Sequence, residues 1–304
     1  MRFGVTIFAT DLTIRPDDLA VEVEARGFHS LYLPEHTHIP VSRRTPPPTG
    51  DDELAEEYSR TLDPWIALAM AGARTHALRL GSGVALVAQH DPIALAKALA
   101  TLDHLTGGRV VLGVGFGWNH EEMEDHGVKP AQRREVVREH VLAMKALWST
   151  DPRGFDGEFV HLAPSWAWPK PVRGDVPVLI GGGGGPTLFA HIAEYGDGWI
   201  PVGGAGLRDS LPRLRDAWHA AGRDPSRLEV VPFGSLPDPG NSSTTPRWGS
   251  PRSSCGCAAP AGRRLSASST GWPPRSPDSS DAPSGSPLAL PAMSELPRII
   301  SVDD

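Results

Sequence analysis

The sequence predicts an α/β fold in which strands and helices alternate over residues 1–234. Seven short apolar segments have the composition of strands, and they lie at residues 3–8, 30–33, 78–87, 109–114, 176–180, 198–201 and 228–233. Most are followed by a helical segment, and Pro16, Pro64 and Pro92 mark three helix starts because proline is favoured in the first helical turn. Strands that alternate with helices predict a parallel sheet with right-handed crossovers. A (β/α)8 barrel and an open doubly wound sheet both fit this alternation.

The remaining segments complete the pattern. We expect helices at residues 16–26, 64–75, 92–102, 130–147, 187–195 and 207–221. Residues 155–162 predict a small inserted hairpin, and the polar, proline-rich segment 37–60 predicts a loop. We expect that loop to act as a mobile lid over the site.

Composition excludes several classes of protein. The formal net charge is −7, so the chain lacks the basic balance of nucleic-acid-binding proteins. No window approaches the roughly 18 uninterrupted apolar residues that a membrane span needs, and the N-terminal apolar run is too short for a secretory signal. We therefore expect a soluble, cytoplasmic protein. The two cysteines, Cys255 and Cys257, indicate neither a disulfide framework nor a zinc site.

A change in composition near residue 235 divides the chain into a domain at residues 1–234 and a tail at residues 235–304. Serine, proline and glycine make up about half of residues 235–292, which contain no Lys, Glu, Val, Ile, Phe, Tyr or His. Such a segment buries too little apolar surface to offset its ordering entropy, which predicts disorder. A frameshift in a GC-rich gene is the alternative, because a shifted reading of this stretch yields peptides that would supply the eighth strand and last helix of a barrel. The genomic DNA decides between these interpretations.

Residues 90–119 carry the most informative motif. A helix leads through TGGR at residues 106–109 into a strand that ends in GVGFGWN at residues 113–119. Together with MRFGVTIF at the N-terminus and GFHSLYLPEH at residues 27–36, this order resembles the luciferase-like monooxygenase superfamily over residues 1–234. Within that superfamily, the stretch GFGWNHEEM is similar to the branch of coenzyme F420 (5-deazaflavin) oxidoreductases.

The resemblance implies a (β/α)8 barrel, here without its eighth strand and last helix, with the cofactor at the C-terminal ends of the strands. It implies that Gly115, Phe116 and Gly117 meet the cofactor and that Asn119 lies at a position used for its phosphate. Some deazaflavin relatives carry a glutamate where this chain has Phe116. Two other interpretations of these glycines are a simple tight turn and a dinucleotide-binding turn. The latter runs straight into a helix, whereas Trp118 and Asn119 interrupt this one.

Five consecutive glycines, Gly181–Gly185, follow the fifth predicted strand, and Pro186 opens the next helix. Backbone N–H groups at a helix start, with no Cβ atoms in the way, can cradle a phosphate. The predicted phosphate-binding residues are therefore Gly182, Gly183 and Gly184, with a merely flexible turn as the alternative. FMN and F420 both carry a phosphate, so this loop does not distinguish them. We expect the two glycine turns to open onto the same pocket.

Two strand ends supply the remaining site residues. His36 follows Pro34-Glu35 at the end of the second strand, and imidazole titrates near neutral pH, which suits proton transfer. The resemblance places Glu35 and His36 beside the cofactor ring, so His36 is expected to donate a proton or contact the substrate, or else only to bind the cofactor. Glu35 is expected to orient His36 or to face a helix. The resemblance also implies a non-prolyl cis peptide near Ser82 and Gly83, backing the ring.

A cluster after the fourth strand contains side chains of the metal-ligand type. Its members are His120, Glu121, Glu122, Glu124 and His126. Their spacing favours a solvated loop and helix face, so we predict no metal site.

These observations predict an oxidoreductase that moves a hydride between coenzyme F420 and a small organic substrate. The ring carries the chemistry, and the protein anchors the phosphate, places the ring and excludes water. An FMN-dependent monooxygenase that uses oxygen keeps the same fold and is the first alternative. An inactive frameshifted remnant is the second, because an incomplete barrel leaves an unpaired edge. The expected partner is a small-molecule substrate, without nucleic acid or membrane, and a homodimer is left open.

Overall fold

The computed structural model describes residues 2–47, 53–204, 206–234 and 298–302. In chain order the elements are β1 (Arg2–Thr6), α1 (Pro16–Ala25), β2 (Ser30–Leu33), α2 (Pro64–Arg74), β3 (Arg79–Ser82), α3 (Pro92–Thr106), β4 (Val110–Val114), α4 (His120–Asp125), α5 (Arg133–Trp148), β5 (Arg153–Asp156), β6 (His161–Ser165), β7 (Val178–Gly181), α6 (Pro186–Tyr195), β8 (Gly198–Ile200), α7 (Leu207–Ala220), β9 (Glu229–Val230) and β10 (Arg298–Val302). Three short 3₁₀ turns lie at Glu56–Ser59, Val87–Gln89 and Pro225–Arg227. The disorder and frameshift interpretations of residues 235–292 fall outside the described residues.

Seven parallel strands form one sheet in the order β1-β2-β3-β4-β7-β8-β9. A doubly wound sheet reverses its strand order at a switch point, so this unbroken chain order selects the barrel architecture. β5 and β6 form the predicted hairpin outside the sheet. β10 pairs antiparallel with β1, with Gly4 opposite Ile300. Across the described ranges there is no eighth parallel strand, and β9 and β10 are the two edges.

Buried apolar side chains form two separate clusters on the two faces of the sheet. The larger, outer cluster lies between strands and helices and includes Leu31, Leu80 and Leu112. The smaller, inner cluster consists of Tyr32, Val111, Leu179, Ile200, Val231 and Phe233. Neighbours along a strand, such as Leu31 and Tyr32, belong to opposite clusters because strand side chains alternate between faces. The inner cluster is therefore the interior of the barrel.

Two of the differences between the predicted bounds and the structure bear on the strand-end edge. The strand expected at residues 78–87 ends at Ser82, because Gly83 and Val84 turn out of the regular ladder before Ala85 rejoins it by a bridge to Val114. The second difference is α4, which lies where a solvated loop with a helix face was expected. Asn119 begins this helix by accepting a hydrogen bond from the backbone N–H of Glu122 at 3.5 Å. None of the helices in the described ranges is both long and apolar enough to cross a bilayer.

An ion pair crosses the barrel interior at the N-terminal ends of the strands. Arg79, the first residue of β3, donates to the carboxylate of Glu229, the first residue of β9, at 2.5 and 3.2 Å. His29 lies beside this pair, with its Nε2 atom 3.1 Å from the guanidinium of Arg2. Burial, reinforced by the positive charges of Arg2 and Arg79, lowers the pKa of His29 to about 4.

Stability is expected to fall as the pH is lowered from about 6.5 towards about 4. In the unfolded chain His29 has an ordinary pKa of 6.5, whereas the folded chain protonates it only near 4. Between these values the unfolded state binds more protons, so lowering the pH favours unfolding. Urea unfolding at a series of pH values measures this slope. Replacing His29 by glutamine should lower this slope by an amount that corresponds to at most one bound proton. An unchanged slope would contradict the assignment to His29.

A second prediction concerns the inner-face glycine Gly113. A Cβ atom at this position would lie only 2.0 Å from the carbonyl oxygen of Ser82. Because a backbone atom cannot move aside as a flexible side chain can, Gly113→Ala should destabilise the fold by about 2 kcal/mol or more. Thermal unfolding measures this, with Gly204→Ala as the control because a Cβ at Gly204 meets no atom within 4 Å. Equal effects of the two substitutions would show that β3 and β4 are not packed this closely.

Candidate active site

The two glycine turns lie at the same edge of adjacent strands. β4 and β7 pair in parallel with Val114 opposite Ile180, so the chain leaves both strands at their C-terminal ends. The side chain of Val84 fills the space between them. A Cβ atom would lie 2.4 Å from Val84 Cγ2 if placed on Gly115, and 2.9 Å from Val84 Cγ1 if placed on Gly181. Val84 thus forms a common floor beneath both turns.

The peptide bond between Gly83 and Val84 is cis, at the place where the family resemblance implied one. The neighbouring Ser82 hydroxyl donates to the carbonyl oxygen of Gly113 at 2.8 Å, so it is used within the barrel wall. A Cβ on Gly83 would lie 2.4 Å from the ring of Phe233. Ser82 and Gly83 therefore place the backbone of this bulge at the mouth of the barrel.

The loop Gly181–Gly185 leads directly into α6, whose first residue is Pro186 as predicted. The N–H group of Gly182 donates to the carbonyl oxygen of Ile200 at 3.2 Å. Within the described part of the chain, the N–H groups from Gly183 to Gly185 donate to no acceptor. A Cβ on Gly183 would meet no atom within 4 Å, which leaves open space above the loop. Free N–H groups at the start of a helix are what an anionic phosphate requires, so this loop fits one.

One residue beside this loop was not predicted from the sequence. A Cβ on Gly184 would come 2.7 Å from the Oγ atom of Ser210 on α7. The hydroxyl thus lies against the glycine loop from the neighbouring helix. Nothing in the local sequence of α7 signals this, because the contact depends on how β8 and α7 return to the loop.

Asn119 supplies a second observation that fits a ligand. Its side chain is buried, with 1% exposure, and its Oδ1 atom caps α4. Its Nδ2 atom is buried and has no hydrogen-bond partner among the described residues. A buried donor without a partner costs about 1–3 kcal/mol, so a hydrogen-bond acceptor bound nearby would stabilise this arrangement. The chemistry of these donors is compatible with the phosphorylated cofactor that the resemblance implies.

The remaining two residues of the turn after β4 have different positions. Gly117 has a φ of 75°, a conformation that favours glycine. Phe116 follows the outer-face pattern of β4, and its ring packs towards the helices. The guanidinium carbon of Arg134 lies 4.3 Å above this ring, and the ring of His191 lies 5.8 Å away. The side chain of Phe116 therefore contacts residues of α5 and α6.

His36 lies in a buried polar and aromatic environment at the end of β2. Its Nδ1 atom is 2.7 Å from the Oε2 atom of Glu122, and its Nε2 atom accepts from the indole Nε1 of Trp118 at 3.3 Å. The ring of Tyr58 lies 5.4 Å away, measured between ring centroids. Only 6% of the His36 side chain is exposed. The imidazole is thus held by neighbours on both nitrogens.

Glu35 points away from His36 and does not orient it. Its carboxylate accepts from the backbone N–H of Leu86 at 2.7 Å and lies 2.8 Å from Nε2 of His90. Although burial lowers the pKa of His90, its hydrogen bond to Glu35 and the charge of Glu35 outweigh that effect and raise it. His90 also borders a cavity of about 360 Å³ between α3 and the chain that enters α5. Glu35 therefore stabilises the loop after β3, and the carboxylate that contacts His36 is Glu122.

The acidic side chains of α4 hold the segment that follows His36. Glu122 is fully buried, so the expectation of a solvated face is wrong for this residue. Glu121 accepts from the backbone N–H of Arg44 at 2.9 Å and from the hydroxyl of Thr45 at 2.7 Å. The hydrogen bonds from Thr45 and Arg44 hold the pKa of Glu121 at about 2. Among the described residues, no three His, Cys, Asp or Glu side chains are placed to hold a metal ion.

Loss of the Glu121 carboxylate should increase local opening of the backbone at Arg44 and Thr45, whose hydrogen bonds it accepts. Because Glu121 accepts from the Arg44 N–H, Glu121→Ala should increase hydrogen exchange at that amide by about tenfold. Exchange at the Thr37 amide should stay unchanged, since Glu122 accepts its hydrogen bond at 3.0 Å. Glu124→Ala is the matched control, because among the described residues the Glu124 side chain hydrogen-bonds only to the guanidinium of Arg44 and not to its backbone N–H. Equal exchange in the wild type and Glu121→Ala would contradict the role of Glu121.

The chain belongs to the luciferase-like monooxygenase family, whose sequence pattern matches residues 15–236. An uncharacterized protein of Mycobacterium tuberculosis is 50% identical over 227 residues, which cover 74% of this chain and 80% of that protein. An F420-dependent glucose-6-phosphate dehydrogenase of Kineococcus radiotolerans is 30% identical over 219 residues, and the match covers 70% of this chain and 60% of the dehydrogenase.

A solved structure supports the same fold. The chain is similar to an F420-dependent secondary alcohol dehydrogenase in complex with an F420-acetone adduct, with a TM-score of 0.61 and 25% identity. The similarity covers 76% of this chain and 68% of that one. The predicted luciferase-like barrel is thus confirmed by the family match and by this likeness.

Proposed function

We propose that this protein is an oxidoreductase that transfers a hydride between coenzyme F420 and a small organic substrate. The observation that carries the proposal is the row of N–H groups from Gly183 to Gly185 at the start of α6, which have no acceptor among the residues that the structure describes. This row lies at the C-terminal strand edge, as do the turn that contains Asn119 and the end of β2 that carries His36. The proposed phosphate loop suits F420 and FMN equally. The choice of F420 is supported by relatives that depend on this cofactor.

The residues of the chain divide the work of binding. The N–H groups of Gly183 to Gly185 and the dipole of α6 would hold the phosphate, and Nδ2 of Asn119 would donate a further hydrogen bond. Val84 and the backbone of Ser82 and Gly83 would back the ring at the barrel mouth. When bound, F420 supplies a ring that accepts or donates a hydride.

His36 is the residue that would handle the accompanying proton. Its Nε2 atom presents a hydrogen-bond acceptor at the mouth, and the rings of Tyr58 and Trp118 surround it. Such an enclosure excludes water, which protects a transferred hydride from side reactions. A substrate hydroxyl bound next to Nε2 would give its proton to His36, and a substrate carbonyl oxygen would receive a proton from it.

Cofactor titration tests the proposal. The purified full-length chain is mixed separately with F420 and with FMN, and the affinity for each is measured from fluorescence. We expect F420 to bind more tightly than FMN. Tight binding of FMN without binding of F420 would favour the monooxygenase instead. A chain that folds poorly and binds neither, but recovers both after the reading frame of its gene is restored, would favour the inactive remnant.

Gly183→Ala should weaken cofactor binding while leaving the fold intact. A Cβ on Gly183 meets no protein atom within 4 Å and the residue has no positive φ, so the fold tolerates it. The methyl group would occupy the space into which the N–H groups point, so the affinity for F420 should fall at least tenfold. Thermal unfolding should stay within about 2 °C of the wild type, since no contact is lost. Unchanged affinity at unchanged stability would remove this loop from the binding site.

A further inference from the structure

Glu122, His36 and Trp118 form a row of hydrogen bonds that determines which imidazole nitrogen carries the proton. Indole Nε1 can only donate, so the nitrogen that it faces, Nε2 of His36, must accept. The hydrogen of the neutral ring therefore lies on Nδ1, where it is donated to Glu122 over 2.7 Å. A doubly protonated ring would place two donors against each other between Nε2 and the indole.

The second oxygen of Glu122 is also occupied by a fixed donor. Oε1 accepts the backbone N–H of Thr37 at 3.0 Å, and a backbone N–H cannot reverse its polarity. The side chain of Glu122 is fully buried, so water does not compete for either oxygen. Its backbone is fixed by α4, whose N-cap residue Asn119 accepts the N–H of Glu122 itself. Oε1 also accepts from the hydroxyl of Thr37 at 3.5 Å. The carboxylate is thus positioned to accept hydrogen bonds and to donate none.

We infer that Glu122 is a positioning residue that holds His36 in the Nδ1–H tautomer, so that Nε2 is the unprotonated nitrogen that receives a proton from the substrate. This inference rests on the proposed function for its chemical consequence. In this structure the indole N–H of Trp118 occupies the acceptor site on Nε2, and the hydroxyl group of an alcohol would take its place. In an alcohol oxidation Nε2 would receive the O–H proton, the bound cofactor would supply the acceptor for the C–H hydride, and the carbon–oxygen bond would become a carbonyl. In the reverse direction His36 would return the proton to the oxygen of a ketone or aldehyde, and the reduced cofactor would supply the hydride to its carbon.

The substitution Glu122→Gln tests this role because it keeps the shape and changes one acceptor into a donor. The amide oxygen must face the N–H of Thr37, which leaves the amide NH₂ group facing Nδ1 of His36. Nδ1 must then accept, because its contact over 2.7 Å is the shorter one. The proton therefore moves to Nε2, and the longer contact of 3.3 Å from the Trp118 indole is lost. A change of this kind in a Ser-His-Asp triad, a worked case from another class of enzyme, lowers the rate by about 10⁴ through the wrong tautomer.

The measurement is ¹⁵N NMR of the full-length chain labelled at histidine, with the His36 signals assigned by their loss in His36→Gln. In the wild type Nδ1 should give the signal of a protonated nitrogen and Nε2 that of an unprotonated one. In Glu122→Gln the two signals should exchange. Glu124→Gln, on the same helix but without contact to His36, is the matched control and should resemble the wild type.

Trp118→Phe tests whether the carboxylate of Glu122 or the indole of Trp118 determines the tautomer of His36. It removes the donor to Nε2 but leaves Glu122 in place, so the Nδ1–H tautomer should persist. Exchange of the signals in Trp118→Phe, or an Nε2–H tautomer in the wild type, would overturn the inference even if Glu122→Gln failed to fold. The measurement needs no cofactor, so failure of F420 to bind would count against the proposed function and leave the tautomer result unaffected.

Discussion

The inner face of the barrel has so little side-chain volume at its C-terminal end that backbone and side chains from other strands enter it. Gly81 admits the ring of Tyr32, Gly113 admits the carbonyl oxygen of Ser82, and Gly115 and Gly181 admit the side chain of Val84. These approaches bring the bulge after β3 across the mouth of the barrel. The location of the candidate site follows from this, because Val84, which belongs to neither glycine turn, forms the floor beneath both of them.

Two adjacent residues at the end of β2 serve different parts of the mouth because their side chains diverge. Glu35 accepts from the loop after β3, whereas His36 contacts α4. Each of the two buried carboxylates, Glu35 and Glu122, accepts a backbone N–H as well as contacting a histidine. Buried charges are stable when such donors surround them. Two buried carboxylates therefore hold the loop segments around the site, Glu35 the loop after β3 and Glu122 the segment that follows His36.

The regular part of the fold could be predicted from local signals. Pro16, Pro64, Pro92 and Pro186 do begin helices, and the glycine turns do lie at strand ends. The strand order, by contrast, left two architectures open until the pairing was seen, because alternation carries no information on which strands are neighbours. The resemblance to the luciferase-like family supplied the barrel that periodicity could not.

The candidate site was predictable in its location and less so in its contacts. His36 and the two glycine turns were identified because strand ends and glycine runs are visible in sequence. The partner of His36 was not, because Glu122 is 86 residues away and its neighbours Glu121 and Glu124 made it resemble part of a solvated face. Charged residues in a row show their type but not their burial. Ser210 escaped notice for the same reason, since its contact with Gly184 arises only from the packing of α7.

The indole of Trp199 lies beside the loop Gly181–Gly185 and donates through Nε1 to the carbonyl oxygen of Gly182 at 2.9 Å. Its ring also lies against Gly184, and only 2% of the residue is exposed. Indole emission responds to its hydrogen bonding and to nearby absorbing rings. The loop thus carries a built-in optical reporter, and the arrival of an anion would change its share of the emission from the nine tryptophans.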